Sequence, residues 1–264
     1  MSSSPIKIAV IDMYDGTTNL GMDCIENILK SWSSLNNIPI DYEIFALRNE
    51  CRIPNHTFDI YLSSGGPGSP NDSEGEKWDK LYTTWLQEML DLNKPVLLIC
   101  HSFQMACRHF NLGKVCLRKS KQLGVLPVHP LVEDPLFNNL NDPFYALDSR
   151  VYQIVEPNDE NIALLGAQII ALEKHRPHVP LERAIMAIKF SDKMYGVQFH
   201  PEGETNLLLQ FFMEDQIKKT IIEEFGIEKW EVIINKLNDP NKVTKTYENF
   251  IPNFLKRAIE MDLD

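Results

Sequence analysis

Short apolar runs alternate with longer amphipathic stretches along this chain. Residues 6–12 (Ile-Lys-Ile-Ala-Val-Ile-Asp) form a β-branched run that predicts a strand, ending in polar turn chemistry at 13–16. Leu20, Met22, Ile25, Ile28 and Leu29 then recur at helical spacing within 17–34. Strands are predicted at 41–47 and 58–63. A helix is predicted at 77–92, with Trp78, Leu81, Trp85, Met89 and Leu92 on one face. Pro95 opens a compact strand, 96–99, that runs directly into Cys100 and a helix at 101–111. The stretch 125–183 is richer in Pro, Asp and Asn and predicts shorter strands and loops. Two further strands, 184–190 and 195–199, straddle a turn at 191–193. Beyond Glu202 the pattern turns helical, with 205–225 and 227–237 separated by Gly226 and a last helix beginning near Pro252.

Strands alternating with helices imply βαβ units and a mainly parallel sheet covered on both faces. A wholly apolar strand such as 96–99 is what burial on both sides requires. The expected organisation is an α/β domain over 1–205 and a helical C-terminal extension over 206–264, which caps the domain or holds a partner.

Composition narrows the classes without choosing among them. The 264 residues carry 26 basic and 37 acidic side chains, a formal net charge of −11. Nucleic-acid coats and anionic membrane surfaces call for clustered positive charge, so neither partner is expected. Five cysteines (Cys24, Cys51, Cys100, Cys107 and Cys116), an odd number without CxxC spacing, make a poor disulfide framework and a poor zinc site. Reduced thiols in a cytoplasm fit better. The N-terminus lacks a basic region followed by an apolar stretch, so no secretory signal is expected, and no apolar run has the length of about 20 residues that spans a bilayer.

Three segments carry candidate chemistry. Ser63-Ser64-Gly65-Gly66-Pro67-Gly68-Ser69-Pro70 follows a predicted strand, where α/β proteins place ligands. It reads as an oxyanion hole or as an ordinary βα turn. Cys100 lies where a buried strand turns into a helix, a geometry that lifts a nucleophile clear of the sheet. The helix N-terminus favours thiolate over thiol, and the next N–H points toward a developing oxyanion. The competing reading is that cysteine is a common core residue, and it is the one adopted for Cys107 and Cys116. In Tyr195-Gly196-Val197-Gln198-Phe199-His200-Pro201-Glu202, a strand ends in a histidine with a carboxylate two residues on. A cysteine nucleophile needs such a base and such a carboxylate to orient it.

Taken together, the Gly-Gly-Pro-Gly loop, the cysteine elbow and the distal Gly-Val-Gln-Phe-His-Pro-Glu resemble class I glutamine amidotransferase domains over roughly residues 6–205. Ile11-Asp12-Met13-Tyr14-Asp15 resembles the opening strand and loop of several members. Stand-alone GMP synthase-like amidotransferase domains and γ-glutamyl peptidases share this likeness. The resemblance implies a flavodoxin-like three-layer sandwich with a mainly parallel central sheet. It also implies a triad of Cys100, His200 and Glu202, with Cys100 forming a γ-glutamyl thioester. Gly66 and the N–H of His101 correspond to the oxyanion hole, and Gln104 to a glutamine contacting the substrate's amino-acid head. The implied substrate is glutamine or another γ-glutamyl amide, with no metal and no cofactor. Any ammonia acceptor would be a separate synthase chain.

The elbow departs from the family's usual Gly-Ile-Cys-Leu-Gly-His-Gln. Leu98, Ser102 and Phe103 stand where that pattern has Gly, Gly and His, and His101 beside the nucleophile is unusual. A histidine-containing patch common near Asp148-Ser149-Arg150 is absent. His175-Arg176-Pro177-His178 reads as a loop rather than a metal pair. Lys114, Arg118, Lys119 and Lys121 read as a solvated face or as a contact for an anionic partner. Three functions follow: a glutaminase that acts alone or supplies ammonia to a separate synthase, a γ-glutamyl peptidase using the same thioester chemistry, and a catalytically silent binding or regulatory subunit.

Overall fold

The computed structural model describes residues 4–178 and 180–261. Residues 1–3, the start of the segment expected to lack a secretory signal, lie outside them. The parallel half of the sheet contains β1 (Ile6–Asp12), β2 (Ile40–Ala46), β3 (Ile60–Ser63), β4 (Val96–Ile99) and β9 (Met194–Val197). The antiparallel half contains β5 (Gly113–Pro130), β6 (Phe144–Pro157), β7 (Gln168–Glu173) and β8 (Ile185–Lys189). The nine strands run in the order β2-β1-β3-β4-β9-β8-β7-β5-β6. Pairing is parallel from β2 to β9 and antiparallel from β9 to β6. The expected α/β layered fold is present, with an antiparallel half larger than the mainly parallel reading implied.

Helices cover both faces. On one lie α1 (Leu20–Asn36) and α9 (Val243–Glu260), whose apolar sides meet Ile8, Val10, Leu62, Leu97 and Ile99. On the other lie α2 (Leu47–Glu50), α3 (Lys77–Asp91) and α4 (His101–His109), with α5 (Asp159–Leu165) at its margin; Trp78, Tyr82, Trp85 and Phe103 pack there against Ala9, Ile11 and Leu98. Alternate residues of β1 and β4 thus serve opposite cores, which is why Ile8–Ile11 of β1 and the whole of β4 are apolar. A third cluster joins α6 (Thr205–Met213), α7 (Asp215–Phe225) and α8 (Ile227–Leu237) to Val125 of β5.

Three expectations are corrected. The stretch read as short strands and loops contains β5 and β6, 18 and 14 residues long. Only Val128–Pro130 of β5 pairs with β7. Beyond that pairing β5 has only β6 beside it in the sheet, and its exposed middle, around residues 117–121, has a polar composition that imitates a loop. Second, the helix expected over 205–225 breaks at Glu214, whose extended backbone (φ −58°, ψ 131°) ends α6 and caps α7. Trp230 Nε1 donates to the Phe212 carbonyl at 2.9 Å, satisfying one acceptor near the break. Third, the last helix begins at Val243, not near Pro252, which lies inside it. Proline removes an intrahelical hydrogen bond there, yet Phe250, Ile251, Phe254 and Leu255 on both sides of it are buried. Tertiary packing of that face, rather than local propensity, keeps α9 continuous.

Phe250 is fully buried and its ring contacts those of Phe137, Phe144 and Phe199. Because Phe199 directly precedes His200, α9 supports the segment that carries the histidine. Phe250→Ala is expected to cost about 3–5 kcal/mol of stability, read from the urea midpoint.

Candidate functional site

Cys100 sits between β4 and α4 with φ 50° and ψ −98°, a left-handed conformation that strains a residue bearing a side chain. Its N–H donates to the Val197 carbonyl at 2.7 Å, and its carbonyl accepts from Gln104 at 3.0 Å. Strand β9 grips the turn from one side and α4 begins on the other. Gln198 Nε2 approaches Cys100 Sγ at 3.6 Å, while Gln198 Oε1 accepts from Gln104 Nε2 at 3.1 Å. Gln104 is buried in this pair and does not line the cleft in front of Cys100.

His200 follows β9, and its N–H donates to the Leu147 carbonyl of β6 at 2.8 Å. The long hairpin thereby fixes the histidine backbone. His200 Nδ1 lies 2.7 Å from Glu202 Oε1, and the Cys100 thiol flanks the same ring. Burial alone would lower the proton affinity of His200. The Glu202 carboxylate and Cys100 outweigh it and raise the imidazole well above its ordinary value. Glu202 is 1% exposed, with Oε2 buried and without a hydrogen-bond partner among the described residues.

The glycine-rich loop is tied to the elbow by serines. Ser102 Oγ donates to the Ser64 carbonyl at 2.6 Å and lies 2.7 Å from Ser63 Oγ, which meets the Tyr82 hydroxyl at 2.8 Å. Met13 N–H donates to Ser64 Oγ at 3.0 Å, and Arg48 Nη1 donates to the Met13 and Pro67 carbonyls at 3.2 and 2.6 Å. A side chain on Gly66 would overlap the Met13 carbonyl, so backbone approaches backbone closely there. One on Gly65 would stand 2.8 Å from His200 Cε1 and 3.5 Å from Cys100 Cβ. The loop is thus packed against both groups.

The departures from the expected elbow pattern have physical counterparts. Leu98 is fully buried on the face opposite Ile99, beside Phe103. Phe103 fills the space over Gly196, where any side chain would overlap its ring. His101 is buried with Nε2 unpartnered among the described residues, and burial together with Arg48 and Arg108 pushes its imidazole down to about 3. It is neutral at ordinary pH and adds no cation beside Cys100. Asp148 and Arg150 form a buried ion pair with contacts of 3.0 and 3.1 Å, while Ser149 between them faces the cleft. The basic cluster on β5 is largely neutralised, through Lys114–Glu156, Arg118–Glu173 and Lys121–Glu224.

The cleft, about 540 Å³, is lined by Cys100, His200, Glu202 and Gly66 on its polar side. Leu147, Leu208, Phe211 and Phe212 supply apolar lining to the same cleft. Tyr14, visible in the sequence only as part of a motif, also lines it. Four predicted residues therefore meet here, with His101 presenting its backbone at the start of α4 and Gln104 set behind. Among the described residues, no group of three or more His, Cys, Asp or Glu side chains is placed to hold a metal ion. Among them too, no helix is long and apolar enough to cross a membrane.

Comparison with known proteins decides the family. The family model for glutamine amidotransferase class-I matches residues 9–220. The chain belongs to the class-I glutamine amidotransferase family. Among relatives of this amidotransferase, a glutamine-hydrolyzing GMP synthase of Chlorobaculum tepidum is 28% identical over 191 residues, covering 69% of this chain and 33% of the relative. A glutamine-hydrolyzing GMP synthase of Geobacillus kaustophilus is 26% identical over 200 residues, covering 75% of this chain and 32% of that one. The chain thus spans only about a third of the length of these two relatives. In fold, it is similar to a Thermotoga maritima glutamine amidotransferase (TM-score 0.72, 17% identity, 98% of this chain and 100% of that chain). The glutaminase domain of Trypanosoma brucei CTPS with bound acivicin superposes with a TM-score of 0.58 at 14% identity, over 95% of this chain and 94% of that one.

Ser102 stands where the family's elbow commonly has glycine, yet here its hydroxyl joins loop to helix. Ser102→Gly, though closer to the family pattern, is expected to destabilise the amidotransferase by about 1–3 kcal/mol by orphaning buried partners. A urea midpoint lowered without a change in m would register it.

Proposed function

We propose that this amidotransferase hydrolyses glutamine to glutamate and ammonia and passes the ammonia to a separate synthase chain. The observation that carries this reading is the convergence of Cys100, His200 and Glu202 on one cleft at the strained elbow. The family and the GMP synthase relatives support it. Cys100 Sγ attacks the γ-carbonyl carbon, and the carbonyl electron pair moves to oxygen, facing the N–H groups of Gly66 and His101. His200, oriented by Glu202, takes the Cys100 thiol proton and gives it to the departing nitrogen; ammonia leaves and a γ-glutamyl thioester remains. The same imidazole then takes a proton from water, which cleaves the thioester and frees glutamate. No metal or cofactor enters these steps. Residues 1–205 carry the reacting groups, and the described part of the extension 206–264 contributes the apolar wall through Leu208, Phe211 and Phe212. Its five cysteines are unpaired, which suits a reducing cytoplasm.

The apolar wall favours a second reading, a γ-glutamyl peptidase whose leaving amine carries an apolar substituent. Ammonia release from glutamine, measured for the chain alone and with an added synthase, is expected to exceed turnover of γ-glutamyl peptides. Cys100→Ala is expected to reduce it to background. Preference for the peptides would establish the second reading, and no turnover of either substrate would point to a silent binding protein.

Because Glu202 raises His200, the protonated imidazole that serves the leaving group persists above the usual histidine range. The rate is then expected to fall as pH rises through that raised value. Glu202→Gln is expected to move this alkaline limb of kcat/KM to lower pH and to slow turnover by roughly 10²–10⁴-fold. An unmoved limb would detach Glu202 from the histidine's chemistry.

A further inference from the structure

We propose that Tyr14 is a catalytic residue of this site, its hydroxyl a side-chain donor to the oxyanion formed when Cys100 attacks a γ-glutamyl amide. The proposal rests on the glutaminase reading and adds to it a group that neither the sequence motif nor the triad requires. Three observations converge. First, the tyrosine is held in place by its backbone: its N–H donates to Asp12 Oδ1 at 2.8 Å, and its carbonyl accepts from the Thr17 N–H at 3.1 Å. Second, room for the ring is made by glycines. A side chain on Gly21 would overlap the Tyr14 hydroxyl, and one on Gly65 would stand 3.3 Å from it. That same point beside Gly65 is 2.8 Å from His200 Cε1 and 3.5 Å from Cys100 Cβ. The hydroxyl therefore reaches the place where nucleophile, base and glycine-rich loop meet. Third, it has no hydrogen-bond partner among the described residues, although it lines the cleft.

Tyr14 is part-buried, and a hydroxyl at the cleft surface with no partner among the described residues is available to donate to a bound group. Burial first, and then the Glu202 and Cys100 charges, push the phenol well above its ordinary value. It is therefore a neutral donor throughout the working pH range and cannot compete with His200 as a base. When the Cys100 sulfur–carbon bond forms, the carbonyl π pair becomes an oxygen lone pair. Tyr14 donates its O–H to that oxygen and keeps its proton. On collapse the carbonyl re-forms, the carbon–nitrogen bond breaks and the nitrogen takes its proton from His200. A donor aimed at charge present only in the transition state raises kcat more than it tightens substrate binding.

The test compares wild type, Tyr14→Phe and Gly21→Ala in three measurements: ammonia release from glutamine, alkylation of Cys100 by iodoacetamide, and thermal melting. Alkylation displaces iodide without forming an oxyanion, so it reports on the thiolate alone. For Tyr14→Phe, kcat is expected to fall on the order of 10²-fold, with KM, alkylation rate and melting temperature near wild type. Gly21→Ala keeps the hydroxyl but displaces it, and is expected to lower kcat in the same direction. Wild-type kcat in either variant overturns the proposal, as does a loss of alkylation in step with hydrolysis, which would assign Tyr14 to the thiolate or the fold. Wild-type protein that releases no ammonia under any condition removes the glutaminase reading and this proposal together. An active wild type with an equally active Tyr14→Phe removes only the proposal.

Discussion

Everything around the site depends on holding one residue in a backbone conformation it would not choose. Cys100, at φ 50° and ψ −98°, carries a strain of order 1–3 kcal/mol that persists only where the surroundings over-determine the turn. The surroundings do so from every side. Strand β9 accepts its N–H, α4 uses its carbonyl, and the serine network fixes the glycine-rich loop beside it. The buried strands on either side of β4 keep that geometry from relaxing, because alternate residues of β4 are locked into separate cores. The sulfur is thereby presented at a helix N-terminus, next to a histidine held by an unrelated strand.

The parts of the fold legible in the sequence are those where local pattern and tertiary role agree. Strands 6–12 and 96–99, helix 77–92 and the elbow all announce themselves, because apolar runs, helical spacing and flanking turn residues point the same way. The hairpin 113–157 is illegible for the opposite reason. The middle of β5 is exposed, so Lys119, Ser120 and Lys121 occupy positions where a buried strand would carry Val or Ile. The break at Glu214 has no glycine or proline to mark it, and Pro252 marks a boundary that packing overrides.

The candidate site divides along the same line. Cys100, His200, Glu202 and Gly66 are visible because each lies in a contiguous motif whose spacing carries chemistry. Gln104 enters by resemblance alone, and its amide faces Gln198. Tyr14, Ser63, Ser102 and Arg48 act through contacts between residues far apart in the chain; the Met13–Ser64 bond, in the same network, spans 51 positions. No single segment encodes such pairs. The one available signal is the small residue beside each contact, whose meaning emerges only with the partner in view.

Gly21, Gly65, Gly66 and Gly196 are not in the left-handed region; each is a glycine because another group already occupies its side chain's volume. The claimants are the Tyr14 hydroxyl, the His200 ring, the Met13 carbonyl and the Phe103 ring. These are shared vacancies, and neither owner can change independently. In descendants of this chain, a side chain gained at 21 should appear only in lineages that have already lost the hydroxyl at 14, and one gained at 196 only where the ring at 103 has shrunk. Inheritance at this site would then run in pairs, with the order of substitution written by steric precedence.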